Sequence, residues 1–297
     1  MSVSESSPVS DSSPVSGSSP ASGSSPVSAV ALAVPSSSPS FPSVVAALRA
    51  AGCVFAEDEA ELLLSAARTP AELAALVERR ASGLPLEHVL GWAGFRGLRI
   101  AVDPGVFVPR RRTEFLVERA IALAASGPGA VPVVVDLCCG SGALGAALAA
   151  ALGPVELHAA DIDPAAVRCA RRNVAAVGGT VYVGDLYDPL PAALRGRVGI
   201  LLANVPYVPT EEVGLLPAEA RVHEARVALD GGRDGLDVLR RVTAEAAEWL
   251  APGGHLLFET SESQVAAARA AVERAGLVAR VVEDEELYAT VVVGTRP

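Results

Sequence analysis

The chain contains no lysine: all 24 basic residues are arginine, against 34 acids, giving a net charge of −10 over 297 residues. Such complete replacement of one cation by the other reads as a coding bias rather than a functional device. The acidic balance excludes the positive field that draws proteins non-specifically onto nucleic acid. Aromatics are scarce at 4% while apolar residues reach 51%, so a core must be built from Ala, Val and Leu. Four cysteines (Cys53, Cys138, Cys139, Cys169) lack the paired spacing of a zinc site, and a chain this long does not call for a disulfide framework. The four histidines, His88, His158, His223 and His255, include no i, i+4 pair, and no metal site is expected. No apolar run has the length and purity of a membrane span. No basic residue precedes Arg49, which excludes the charged start of a secretory or transit peptide and makes the cytoplasm the expectation; a monomer is the default expectation for its assembly.

What is present divides the chain into four parts. Residues 1–42 are a Ser/Pro-rich tail in which Ser-Ser-Pro-x-Ser-x recurs four times between Ser6 and Ala29. Its apolar area is too small to offset ordering entropy, so disorder is expected. Residues 43–82 carry three short helical patterns, at 43–51, 57–67 and 70–80, the last introduced by Thr69 as N-cap and Pro70 in the first turn. Residues 83–109 change to a Gly-punctuated alternation that predicts a hairpin connector. From 110 to 297, helices and strands alternate, with a helix capped by Thr113 and strands at 131–135, 157–160, 180–183, 200–203, 255–258, 277–282 and 289–293. The early strands are continuous Val/Leu/Ala runs, as in a parallel sheet covered on both faces. A doubly wound, seven-stranded, mostly parallel α/β fold follows.

The chemistry-bearing residues gather at predicted strand ends. The first strand runs into Asp136-Leu-Cys138-Cys139-Gly140-Ser141-Gly142, a turn that brings main-chain N–H groups to a ligand at a helix N-terminus. A dinucleotide loop places its glycines directly after the strand; here an acid stands there, suited to a cationic group such as an amino-acid ammonium. Asp161 closes the second strand, about 20 residues beyond the glycines, where a carboxylate can accept two ribose hydroxyls. Asp163 precedes Pro164 and should cap the next helix. Asp185 closes the third strand, able to accept from an adenine amine while Leu186 packs on the ring. One such acid is easily a turn residue; three in succession beside one glycine loop are not.

The fourth strand ends in Asn204-Val205-Pro206-Tyr207, and with it the sequence resembles the release-factor-type protein glutamine N5-methyltransferase family. The resemblance runs from about Asp58 to Gly294. It is carried by Pro85-Leu-Glu-His-Val-Leu-Gly91, Phe95-Arg-Gly-Leu98, Val108-Pro109-Arg110 with Thr113-Glu114, the Asp136 loop, Asp185, and the Asn204 motif. Glu224-Ala-Arg-Val-Ala-Leu229, Gly231-Gly-Arg-Asp-Gly-Leu236, Pro252-Gly-Gly254, Glu259 and Gln264 complete it. It implies a Rossmann-like class I fold, S-adenosylmethionine as cofactor, a small helical domain that recognises the substrate, and a protein substrate, with a translation release factor as one candidate. It implies that Asn204 and the carbonyl of Val205 accept the two hydrogens of a glutamine amide while Tyr207 packs on its plane. Val205 stands where the family has a first Pro, and Arg112 where it has an acid. The run Arg110-Arg111-Arg112 is expected to be a solvated loop or a contact for an acidic partner. Residues 284–290 lack the family's Gly and Arg, which marks a divergent paralogue.

Two other functions remain open at this level. Asn-Pro-Pro-Tyr motifs also serve exocyclic amines, so an adenine-N6-type nucleic-acid methyltransferase competes, although such an enzyme usually carries a basic groove. A binding protein that kept the fold without catalysis is the other, and the intact Asp136, Gly140, Gly142, Asp161, Asn204 and Tyr207 argue against it.

Overall fold

The computed structural model describes residues 40–124 and 132–297; the expected tail lies outside the described residues apart from its last three positions. Helix α1 (Phe41–Ala50) starts two residues before the pattern predicts. The reason is local: the Ser40 N–H donates to Ser43 Oγ at 2.8 Å, and Pro42 sits in the first turn where its missing N–H costs nothing. α2 (Ala56–Ala66) and α3 (Pro70–Ala81) follow, the latter capped by Thr69 Oγ1, which accepts from the Glu72 N–H. Val44, Leu48, Ala60, Leu63 and Leu73 form the core of this bundle, closed by Val89 of the short α4 (Leu86–Leu90). Arg80 of α3 is buried against Glu59, its Nε 2.5 Å from Oε2. A buried guanidinium demands such a partner.

The hairpin β1 (Trp92–Phe95) and β2 (Leu98–Ala101) turns through Arg96 and Gly97, both left-handed, as a two-residue hairpin requires. Asn173, in the helix Pro164–Val174, then clips the hairpin to the loop after the strand Val133–Leu137. It accepts from Ala101 N and donates to the carbonyls of Ala101 and Ser141, each at 2.7–2.8 Å.

α5 (Glu114–Ala124) leads into the sheet strands β3 (Val133–Leu137), β4 (Glu156–Asp161), β5 (Thr180–Val183), β6 (Val198–Ala203), β7 (Leu250–Glu259), β8 (Val278–Asp284) and β9 (Ala289–Thr295). Their spatial order is β5-β4-β3-β6-β7-β9-β8, with only β9 antiparallel to its neighbours. α6 (Ala143–Leu152) and α7 (Pro164–Val174) cover one face beside α5. α9 (Asp237–Trp249) and α10 (Val265–Arg274) cover the other, while the short α8 (Ala218–His223) lies in the long segment after β6. Alternation along each strand divides the core: Val134, Leu202 and Leu257 face the first layer, Val135, Leu201 and Phe258 the second. The strand order reverses between β3 and β6, so the crevice outside their carboxyl ends is the natural ligand position.

Thr113 does not cap α5. It is buried, and its hydroxyl donates to Glu259 Oε2 at 2.7 Å across the end of the sheet.

The segment after β6 is pressed flat by a glycine loop. A Cβ on Gly231 would lie 2.6 Å from the Pro206 carbonyl oxygen, and one on Gly235 only 2.2 Å from that of Tyr207. Gly235 and Gly253 share φ +77°, but a Cβ on Gly253 meets nothing within 4 Å. Gly253→Ala therefore costs only the left-handed strain, about 1–2 kcal/mol. Gly235→Ala adds an overlap worth roughly 1–3 kcal/mol more. Thermal melts should place Gly235→Ala clearly below Gly253→Ala; equal melting temperatures would show that the close approach is not a constraint.

Candidate methyl-transfer site

A cavity of about 500 Å³ opens at the reversal point, lined at its inner end by the residues that close β3, β4 and β6. It brings together Asp136, Cys138, Cys139, Gly140, Ser141, Asp161, Asp185, Leu186 and the Asn204–Tyr207 segment. Of the residues expected in the site, only Gly142 does not line it. A Cβ there would meet α7 at Ala170 and Val174, so this glycine serves helix packing instead.

The loop after β3 curls because three of its residues, Cys138, Gly140 and Gly142, are left-handed (φ 52°, 54°, 76°). Glycine takes that conformation freely, whereas Cys138 pays strain for it. Asp136 is 1% exposed, and its Oδ2 accepts the Gly145 N–H at 2.9 Å, near the N-terminus of α6. Burial pushes its carboxyl up to about 7, with the Gly145 N–H opposing and the charge of Asp161 adding. Burial likewise raises the Cys138 and Cys139 thiols, so both stay protonated and unreactive.

Asp161 spends one acceptor site of each oxygen internally. Gly140 N–H donates to Oδ2 at 2.8 Å and Asp163 N–H to Oδ1 at 2.9 Å. The Ile162 N–H also favours the charged form of Asp161, so three main-chain donors orient this cavity-lining carboxylate. Asp163 caps α7 through the Ala165 N–H. Asp185 is bound at 2.7 Å by Arg241 of α9, which sequence spacing did not reveal. Ile162, half-exposed on the cavity wall between two acids, supplies an apolar surface that also went unnoticed.

Asn204 directly follows β6. Its Oδ1 is buried, and no described group donates to it. Leaving such an oxygen unpaired costs roughly 1–3 kcal/mol. Tyr207 is held at both ends: Gln264 Nε2 donates to its carbonyl at 2.9 Å, and its hydroxyl donates to Glu259 Oε1 at 2.9 Å. Desolvation, then the Glu259 charge, pushes the phenol up to about 12, so it stays a neutral donor.

The arginine run is neither a solvated loop nor a patch awaiting an acidic partner. Arg110 Nη2 reaches both oxygens of buried Glu224 (2.6 and 2.7 Å), and Arg112 Nε reaches buried Glu259 at 2.6 Å; only Arg111 of the three is exposed without such a pair. Two carboxylates this deeply buried require those cations. Every arginine lining the cavity is thus matched to an acid: Arg110 to Glu224, Arg112 to Glu259, Arg241 to Asp185. Asp136 and Asp161 have no cationic partner among them, so the surplus charge of the inner cavity is negative. That suits a ligand carrying an ammonium and a sulfonium, and offers no cation to a phosphate. Among the described residues, no group of His, Cys, Asp and Glu could hold a metal ion, and no helix is long and apolar enough to cross a membrane.

Residues 97–234 match the model of the methyltransferase small domain. The chain is 40% identical over 200 residues to the release factor glutamine methyltransferase of Geobacter sulfurreducens, covering 66% of this chain and 68% of that one. It is 37% identical over 241 residues to the protein of the same name from Xylella fastidiosa, covering 80% and 85%. A third relative, 37% identical over 206 residues (67% and 69%), is the 4-amino-L-phenylalanine/4-methylamino-L-phenylalanine methyltransferase of Streptomyces pristinaespiralis.

Two outcomes follow for cofactor binding. If Asp136 holds the ammonium of S-adenosylmethionine, it must be ionised to do so. From pH 7 to pH 6, a carboxyl titrating near 7 falls from about half to a tenth ionised, so affinity should drop about fivefold. Calorimetry should show that step in the native protein and not in Asp136→Asn; a flat profile would remove the ammonium from Asp136. Asp161→Ala should weaken binding by about 1–3 kcal/mol through lost ribose hydrogen bonds, and unchanged affinity would reduce Asp161 to a turn residue.

Proposed function

Since the chain belongs to the release factor glutamine methyltransferase family and is an S-adenosylmethionine-dependent methyltransferase, we propose that it methylates the side-chain amide nitrogen of a glutamine in a protein substrate. A translation release factor is the first candidate, and the cytoplasm is then its place of action. The observation that carries the proposal is the unpaired, buried Oδ1 of Asn204 at the cavity wall. When bound, S-adenosylmethionine supplies a methyl group on a positively charged sulfur, ready for in-line transfer.

This chain's residues supply position. An amide nitrogen is a weak nucleophile because its lone pair is delocalised into the carbonyl. Asn204 Oδ1 accepts one amide hydrogen and the Val205 carbonyl the other, fixing the nitrogen and opposing that delocalisation. Tyr207 packs on the amide plane. The methylated nitrogen sheds one hydrogen as a proton to solvent, and holding the nitrogen in line is the main contribution to rate. Asp136, the Cys138–Gly142 loop, Asp161, Asp185 and Leu186 hold the cofactor. Residues 43–82 recognise the substrate protein, an assignment supported by Arg80, whose Nη1 reaches Glu219 of the cavity wall at 2.6 Å.

The relative from Streptomyces is named for 4-amino- and 4-methylamino-L-phenylalanine, and of these only the primary amine would present Asn204 with two hydrogens. Adenine N6 does too, but the matched arginines leave no free cation along the cavity for a polynucleotide backbone.

Asn204→Ala should cut turnover on a glutamine-containing protein by about 10²–10³, the usual loss for one oriented hydrogen-bond partner. Cofactor affinity should stay close to normal. The melting temperature should hold or rise, because a buried unpaired oxygen is removed. Val205→Pro should be tolerated, since the carbonyl survives. Full activity in Asn204→Ala would refute the assignment.

A further inference from the structure

We propose that Glu259 is a positioning residue of the transfer site: it fixes the Tyr207 ring, and through that ring the plane of the bound amide. The proposal rests on the assignment of the Asn204–Tyr207 segment as the substrate clamp. Glu259 is the last residue of β7 and is 3% exposed. In the β6–β7 register Leu202 lies opposite Leu257, which brings Asn204 level with Glu259 on the neighbouring strand. The carboxylate sits beside the clamp without being part of it.

Three donors converge on this one carboxylate. Arg112 Nε reaches Oε1 at 2.6 Å, Thr113 Oγ1 reaches Oε2 at 2.7 Å, and Tyr207 Oη donates to Oε1 at 2.9 Å. Arg112 Nη2 also donates to Tyr207 Oη at 2.5 Å, closing a triangle of arginine, tyrosine and glutamate. Arg112 and Thr113 would satisfy a purely structural buried carboxylate; the third bond is the one that reaches the site. Gln264 grips the Tyr207 carbonyl from the opposite side and also donates to the Asp234 carbonyl at 3.0 Å. The ring is therefore pinned at its tip and its main chain together. A planar substrate stacked on it inherits that angle, and reacting groups must be held within roughly 10–20° of the productive geometry.

The test is a double-mutant cycle of Glu259→Gln and Tyr207→Phe, with a fluorine spectrum read alongside. Each single variant should lower kcat by about 10- to 100-fold, the range expected for loss of near-attack alignment, while cofactor affinity stays unchanged. The double variant should be no slower than the worse single one, because both changes act on the same bond: Glu259→Gln replaces a charged acceptor with a weaker neutral one, and Tyr207→Phe removes the donor. Tyr207→Phe leaves the Arg112–Glu259–Thr113 cluster intact, so it probes the bond even if Glu259→Gln folds poorly. Protein labelled with 3-fluorotyrosine carries four reporters. The resonance that disappears in Tyr207→Phe should shift or broaden in Glu259→Gln while the other three stay put. Multiplying losses in the cycle, or an unmoved Tyr207 resonance, would overturn the proposal. A native protein that never methylates glutamine would instead sink the functional assignment, and the fluorine spectrum would still decide whether Glu259 holds Tyr207.

Discussion

The carboxamide oxygen of Asn204 is held inside the protein with no described group donating to it, and much of the surrounding architecture makes that costly arrangement persist. A free loop would rotate the side chain toward water. Here the residue directly follows the buried strand β6, and the three residues after it are pressed by Gly231 and Gly235 and gripped by Gln264. The glycines are required by contact as well as by torsion, since no side chain fits between two backbones so close. In the proposed reaction, roughly 1–3 kcal/mol of folding stability is exchanged for an acceptor already desolvated before substrate arrives.

Electrostatics divides the same cavity into two halves. Inside lie Asp136 and Asp161 with no cationic partner among the described residues, a region suited to an amino-acid sulfonium. Outside, acids and arginines are matched: Arg110 with Glu224, Arg112 with Glu259, Arg80 with Glu59 and Glu219. The matched half presents direction rather than net charge, appropriate to a neutral planar group. Methyl transfer to an amide needs alignment more than acid–base assistance, and in the proposed reaction Tyr207, held by Glu259 and Gln264, would set that angle.

Much of this was legible in the sequence, for identifiable reasons. The seven strands could be read because a parallel sheet covered on both faces needs uninterrupted aliphatic runs, and β3 is buried throughout. Asp136, Asp161 and Asp185 stood out because they end successive runs, a local signal. The pairing of Arg110 with Glu224 and of Arg112 with Glu259 was not legible. Those partners are 114 and 147 residues apart, and nothing in an Arg-Arg-Arg run tells a solvated loop from two buried ion pairs. Thr113 misled for a related reason: its place before α5 suits a cap, but its hydroxyl has a stronger acceptor in Glu259. The start of α1 at Phe41 was hidden by composition, because Ser40, Pro42 and Ser43 look like tail residues while acting as a helix start. Gly235 could be placed in a motif, but its reason, a carbonyl where its Cβ would be, exists only in the folded chain.

The most direct measurement of the central claim locates the methyl group. The protein is incubated with isotope-labelled S-adenosylmethionine and a lysate containing unmodified translation factors, and the labelled products are fragmented by mass spectrometry. If the unpaired Asn204 oxygen receives an amide hydrogen, the added mass appears on the side-chain nitrogen of a glutamine in a protein. Label found instead on adenine, or on the aromatic amine of a free amino acid, would contradict it.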